Sequence, residues 1–259
     1  MIKPETMCQS IIEPKIKKAS LKNRTLIIEF VGPPGAGKTT CCQCFSEALK
    51  EKNFKVLITK EIKDYIHDMN FFSKFYFFSK VLLSRFHILS FYIFILAYNR
   101  IYSANSIYRY VRLSVFNLVL NKFIKSRDVD IVLLDQWVIQ ELWSATIFKL
   151  KTYHKVGRYL KMFYFKVDFV MYFDIDIATA SERIGLRKTK FSRFDRMDPD
   201  KRLIELKKYN AYLFQLFKNS DCCQKFVLSA NQSPLENAEI FIQYLKKYIN
   251  IDGKEERTI

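Results

Sequence analysis

Glycine is scarce in this chain. Only six occur in 259 residues, and three of them fall within one octapeptide. The six cysteines are Cys8, Cys41, Cys42, Cys44, Cys222 and Cys223. Two sets are adjacent or nearly so, a pattern that suits neither a disulfide framework nor paired C-x-x-C zinc knuckles. Reduced thiols in a cytoplasmic protein are expected instead. The basic stretch holding Lys15, Lys17, Lys18, Lys22 and Arg24 lacks the apolar core of a secretory signal, so residues 1–23 read as a basic extension. No apolar run reaches the length of about 20 residues that crosses a bilayer. The run Ile88 to Tyr98 is the longest in its region and is too short.

Acidic residues show the sharpest gap. From Met69 to Arg127 there is no Asp or Glu, while the same stretch holds nine Lys or Arg and sixteen Phe or Tyr. Glycine and proline are absent from it as well, which predicts long helices. Two readings stay open: helices packed on the sheet with aromatics as core, or a basic aromatic surface that meets anionic membrane.

The concentrated glycines mark the motif that organises the chain. Gly32-Pro33-Pro34-Gly35-Ala36-Gly37-Lys38-Thr39, followed by Thr40, fits the phosphate-binding loop pattern G-x-x-x-x-G-K-[ST] at every fixed position. Glycine permits the left-handed backbone and close approach that a phosphate cradle needs. Lys38 is placed to reach the β- and γ-phosphates, and the Thr39 hydroxyl to bind Mg²⁺. The context agrees. Leu26 to Val31 is an apolar run of strand type, and Thr40 to Lys50 is free of glycine and proline, as a helix requires.

The remaining chain alternates strands and helices. Strands are expected at Phe54–Thr59, Asp130–Asp135, Asp168–Asp174 and Lys225–Ser229. A helical, basic stretch is expected over 138–165, and helices over 177–186, from Asp198-Pro199 to Lys218, and from Ser233-Pro234 to Tyr248. Apolar strands separated by helices give a three-layer α/β fold with a five-stranded parallel sheet. Asp135, at the carboxyl edge of its strand, is the candidate Mg²⁺-orienting carboxylate. The net charge of +17 favours anionic partners.

These features together resemble a thymidylate kinase-like P-loop kinase, a relative of the nucleoside monophosphate kinases, over 24–250. Lys60-Glu61 stands at an Arg-Glu-Pro motif, and Leu96-Ala97-Tyr98-Asn99-Arg100 at a helix motif ending in an acceptor-binding arginine. Asp135-Gln136-Trp137 stands at Asp-Arg-aromatic. Glu182-Arg183, Arg187 and Arg193-Phe194-Asp195 stand at the lid, 183–198. The resemblance implies ATP and Mg²⁺ as cofactors, with residues 32–40 holding ATP. Lys38, Asp135, Arg183, Arg187 and Arg193 are then catalytic. Lys60, Arg100, Gln136 and Trp137 are acceptor-side residues in or beside a helical segment, 62–127. Residues 251–259 are a polar tail. Gln136, Lys60 and Val31 depart from the family pattern, so the acceptor side matches less well than the donor side. The expected reaction is phosphoryl transfer from ATP·Mg²⁺ to a phosphate-bearing small molecule, foremost a (deoxy)nucleoside monophosphate. A sugar or lipid-linked saccharide acceptor, and an ATPase without acceptor, remain alternatives. A cytoplasmic location with weak anionic-membrane contact, a homodimer, and no specific nucleic acid complete the expectations.

Overall fold

The computed structural model describes residues 25–98, 104–146, 167–188, 192–220 and 224–248. Five strands form one sheet: β1 (Leu26–Val31), β2 (Val56–Ile58), β3 (Ile131–Leu134), β4 (Phe169–Asp174) and β5 (Gln224–Ser229). Their order is β2-β3-β1-β4-β5. Every pairing is parallel, with Ile28 opposite Leu133 on one side and Phe169 on the other. This is the three-layer α/β architecture that the sequence predicts. Parallel strands need long crossovers, and helices supply them.

Alternation along β1 sorts its side chains to two faces. Ile28 and Phe30 join one core with Cys41, Phe45 and Leu49 of α1 (Lys38–Lys50) and Phe241 and Leu245 of the C-terminal helix, Pro234–Tyr248. Phe45 stacks on Phe241 at 5.0 Å and meets Phe30 edge-on at 5.3 Å. Val31, with Val132 of β3 and Val170 of β4, faces the second core. Between α1 and that last helix the chain adds α2 (Thr59–Asp68), α3 (Phe71–Tyr98), α4 (Ala104–Arg127), α5 (Val138–Thr146), α6 (Ile177–Gly185) and α7 (Pro199–Lys218). The last helix is therefore α8. Residues of α4, α5 and α7 fill the second core.

The expected helix starts are present. Asp198 caps α7 through the Asp200 amide, with Pro199 at the first position. Ser233 and Glu236 form a reciprocal capping box at α8, at 3.2 and 2.9 Å. Asp176 caps α6 through the Thr179 amide.

Acids at the two ends of the strands do different work. At the amino ends, the Asp130 and Asp168 carboxylates accept the amides of Lys55 (2.8 Å) and Ile27 (2.9 Å), closing the ragged edge. At the carboxyl ends Asp135 and Asp174 face the edge where ligands of such sheets bind.

One expectation changes. The second strand is shorter than Phe54–Thr59, because α2 already begins at Thr59. Helix α5 runs over Val138–Thr146, and the rest of the basic stretch expected as helical, to 165, lies outside the described residues. Several cations of the acid-free stretch find partners from other parts of the fold. Arg109 and Arg112 of α4 both pair with Glu141 of α5, Arg109 at 2.8 Å. The Lys122 ammonium donates to the Tyr65 hydroxyl at 2.9 Å, and Arg127 lies over the Phe123 ring. A gap in one segment's charge is filled by another segment that folding brings against it.

Phe45 joins α1, α8 and β1. Phe45→Ala should cost about 3–5 kcal/mol of unfolding free energy. Urea denaturation followed by circular dichroism checks this, and a loss below about 1 kcal/mol would mean the face repacks.

Candidate active site

The phosphate loop leaves β1 at the centre of the sheet and enters α1 at Lys38. Its glycines are dictated by space and by angle. A Cβ on Gly32 would lie 3.0 Å from the Phe173 carbonyl oxygen. One on Gly35 would lie 2.5 Å from the Ala180 carbonyl oxygen, and Gly35 has φ of +90°. The loop thus runs pressed between the end of β4 and α6. Gly37 adopts φ of +79° as the residue before α1, which turns the first amides of the helix toward the loop's mouth.

Lys38 is the first residue of α1. It is buried, and its ammonium donates to the carbonyls of Gly32 at 2.7 Å and Pro33 at 2.9 Å. Burial lowers its pKa to about 8, with Asp135 opposing and the nearby Arg187 charge adding to the depression. A lysine folded onto its own loop holds the cradle open with carbonyl partners that anionic phosphate oxygens can replace.

Asp135 stands beside it. The Thr39 hydroxyl donates to one carboxylate oxygen at 2.7 Å. The other oxygen is buried with no hydrogen-bond partner, and the Lys63 ammonium is 3.9 Å away. A hydroxyl, an aligned carboxylate and an unfilled buried oxygen at a phosphate loop are the donor set that suits Mg²⁺, which is held by few protein ligands plus phosphates. Thr39 and Asp135 therefore fit the metal role the sequence gives them. Thr40, beside Thr39, is exposed on the first turn of α1.

Two residues at this corner escape sequence reading. Thr59 is buried, and its hydroxyl accepts the Asp135 amide at 3.0 Å while lying 3.4 Å from the Leu133 carbonyl. It stitches β2 to the turn that carries the acid. Lys63, one helical turn beyond Lys60, is the α2 cation that faces Asp135. Lys60 itself is exposed at the start of α2, and Glu61 beside it pairs with Lys50 at 3.5 Å. The spacing of i and i+3 on a helix could have suggested Lys63, but only once α2 was known to begin at Thr59.

The acceptor-side residues scatter. Gln136 is exposed, as a substrate residue must be. Trp137 is not. It is 1 % exposed, lies in the second core and donates its indole N–H to Asn117 at 2.8 Å. Its expected contact with an acceptor gives way to a packing role, because the turn after β3 aims it beneath α4. Arg100 lies outside the described residues.

The arginines expected to form a lid point in three directions. Arg183 reaches toward the Ala230 carbonyl, past the end of β5. Arg187 pairs with Asp195 at 3.3 Å and is close enough to Lys38 for its charge to be felt there. Arg193 donates to the Ser144 carbonyl (3.0 Å) and hydroxyl (3.1 Å) on α5. Phe194 next to it stacks on Trp143 at 5.9 Å, so this part of the lid is seated on α5. Cys41 and Cys42 on α1 are buried, and burial raises both thiols, Cys41 to about 11. Neither has the low-pKa, exposed character of a redox thiol.

Glu29 is a further residue that sequence reading missed. It sits in the middle of β1, fully buried, and one carboxyl oxygen accepts the Ile139 amide of α5 at 2.7 Å. Its other oxygen has no hydrogen-bond partner. Desolvation raises its pKa to about 8, against the lowering effect of the α5 amides. Read along the chain, a Glu within an apolar run looks like an outward-facing strand residue.

No family model matches the sequence, and no curated protein matches it. Among solved structures, the chain is similar to deoxyadenosine kinase from M. mycoides in three states. With dCMP and a flexible dCDP bound, identity is 15 %, covering 86 % of this chain and 100 % of that one, with a TM-score of 0.47. With dCTP the values are 16 %, 86 %, 100 % and 0.46. With dATP they are 15 %, 85 %, 100 % and 0.49.

The two shifted groups predict a pH signature. Glu29 has a folded pKa above its ordinary value, so between about pH 4.5 and 8 the folded state holds a proton that the unfolded state has lost. Its contribution to stability therefore falls as pH rises through that window, by up to about 1.4 kcal/mol per pH unit. Lys38 is shifted downward, so above about pH 8 the unfolded state holds the extra proton and stability rises toward pH 10.5. Denaturant titrations of wild type and Glu29→Gln should show their stability difference moving in the variant's favour from pH 5 to 8. A pH-independent difference would refute the buried, protonated Glu29.

Proposed function

We propose that the protein is an ATP-dependent P-loop phosphotransferase. It moves the terminal phosphoryl of ATP to a small acceptor that already bears a phosphate, a (deoxy)nucleoside monophosphate in the first instance. The observation that carries this reading is the corner formed by Lys38, Thr39 and Asp135: a lysine on loop carbonyls, a hydroxyl on a carboxylate, and a buried carboxylate oxygen without a hydrogen-bond partner. The acceptor class rests on the sequence resemblance.

In this reading residues 32–40 cradle the phosphates through backbone amides and the N-terminus of α1. Lys38 leaves the Gly32 and Pro33 carbonyls for phosphate oxygens and regains its full charge there. Thr39 and Asp135 would hold Mg²⁺, which would supply neutralisation of phosphate charge. Thr59 keeps the Asp135 backbone in register, and Lys63 balances its charge. The acceptor oxygen forms a bond to the terminal phosphorus as the bond to the β–γ bridging oxygen breaks, and ADP leaves. Arg187 stabilises charge that develops at the migrating group, the role of a preorganised cation. Arg183 borders the same lid. Arg193, tied to Ser144, holds the lid's seat and joins the transferring phosphoryl when the lid closes. Lys60, Gln136 and Arg100 remain the acceptor-side candidates.

The test is ADP formation by the full chain across a panel of nucleoside monophosphates, nucleosides and sugars. ADP formation that depends on a monophosphate is expected. Phosphate release at the same rate without any acceptor overturns the kinase reading. Lys38→Ala should abolish turnover while the variant unfolds at no lower denaturant, because a costly buried charge is removed. Arg187→Ala should lower kcat by about 10²-fold with little change in KM for ATP. A loss confined to KM would assign Arg187 to ground-state binding.

A further inference from the structure

Three groups stand in a row along the carboxyl edge of the sheet. The phosphate loop follows β1, Asp135 follows β3, and α2 follows β2, and these strands are neighbours in the order β2-β3-β1. Asp135 therefore has the loop on one side and α2 on the other. With the loop given to the donor's phosphates, the α2 side of Asp135 is where a second anion can approach.

Helix α2 brings one cation to that side. Thr59 and Lys63 are four residues apart, so they share a face of the helix, and the Lys63 side chain leans back over Thr59. Thr59 is fixed, since its hydroxyl accepts the Asp135 amide at 3.0 Å. Ile62 is buried in the second core, which sets the rotation of the helix as well as its place. The Lys63 ammonium then lies 3.9 Å from the Asp135 oxygen that has no hydrogen-bond partner. That distance makes an ion pair and is too long for a hydrogen bond. Among the described residues the ammonium makes no hydrogen bond, and its side chain is 48 % exposed. Nearby lysines are committed: Lys38 to loop carbonyls, Lys50 to Glu61 and Lys55 to Asp128.

Three donors on a half-exposed ammonium, steered by a carboxylate but bonded to nothing, suit an anion that comes and goes. Asp135 makes that exchange favourable. Once its free oxygen takes a metal ion, Lys63 loses the one carboxylate within ion-pair distance of it among the described residues. A phosphate arriving from the α2 side restores a counter-charge and accepts the idle donors.

We propose that Lys63 is the cation that binds the acceptor's phosphate. It rests on Asp135 in the free protein and passes to the acceptor when Asp135 takes Mg²⁺. This rests on the kinase reading and deepens its acceptor side.

Kinetics and calorimetry with the full chain test it. The probes are ATP, ADP and whichever nucleoside monophosphate best supports ADP formation by wild type. Lys63→Met should raise KM for the monophosphate by about tenfold or more, the loss of one charge-assisted hydrogen bond. KM for ATP should change little, and Lys63→Arg should recover part of the loss. Lys207→Met removes an exposed cation of α7 and should leave both KM values unchanged. Calorimetry reads the resting contact without turnover. Lys63→Met should bind ADP with Mg²⁺ more tightly than wild type, because a competing cation is gone. Its thermal midpoint should match wild type, since the side chain is half-exposed. The proposal is overturned by an unchanged KM for the monophosphate, or by Mg²⁺·ADP binding that is unchanged or weaker. A loss confined to KM for ATP also overturns it and gives Lys63 to the donor. Each of these outcomes leaves the kinase reading standing. Wild type that forms no ADP with any monophosphate removes that reading, and this proposal with it.

Discussion

The passage of the phosphate loop between β4 and α6 is the constraint on which the rest depends. Gly32 and Gly35 run so close to the carbonyls of Phe173 and Ala180 that no side chain fits. That close fit fixes where α1 starts, and so where its amides and Lys38 point. It also sets Thr39 against Asp135, because α1 and β3 are both referenced to β1. The corner formed by Lys38, Thr39 and Asp135 is thus a consequence of backbone packing before it is one of charge. Rigid positioning of this kind is what phosphoryl transfer needs, since the protein contributes placement and electrostatics more than bond-making groups.

Buried charge is the second theme. Glu29 and Lys38 sit in the interior on either side of the loop, and desolvation shifts each toward its neutral form. The two have different uses. Glu29 ties β1 to the N-terminus of α5, the helix on which Arg193 and Phe194 of the lid are seated. Lys38 is held by carbonyls that a phosphate can displace. One buried titratable group ties the frame together, and the other is held only by carbonyls of its own loop.

The basic character of the chain resolves into parts once it is folded. Arg109 and Arg112 share Glu141, Lys122 meets Tyr65, and Arg127 covers Phe123. On α3 the exposed side chains are mainly apolar, with Lys74 bonded to the His67 carbonyl and Lys80 over the Tyr76 ring. Composition alone makes the whole acid-free stretch look alike; in the structure Arg109 and Arg112 of α4 are paired with an acid, whereas Lys74 and Lys80 of α3 are exposed.

Local pattern was enough for much of this protein. Unbroken apolar runs with acids at their ends, capping residues such as Asp198-Pro199 and Ser233, and the phosphate-loop octapeptide are written in neighbouring residues. Each acts over a few positions of chain, so the five strands, the loop and Asp135 could be read directly. Tertiary structure decided the rest. Whether Trp137 faces a ligand or the core depends on where α4 lies, and its indole is taken by Asn117. That Lys63 and not Lys60 faces Asp135 depends on α2 beginning at Thr59, which is held by a strand more than 70 residues away in sequence. The roles of Glu29 and of Arg193 depend on α5. Such pairings join residues far apart in the chain, and no local period or propensity encodes them.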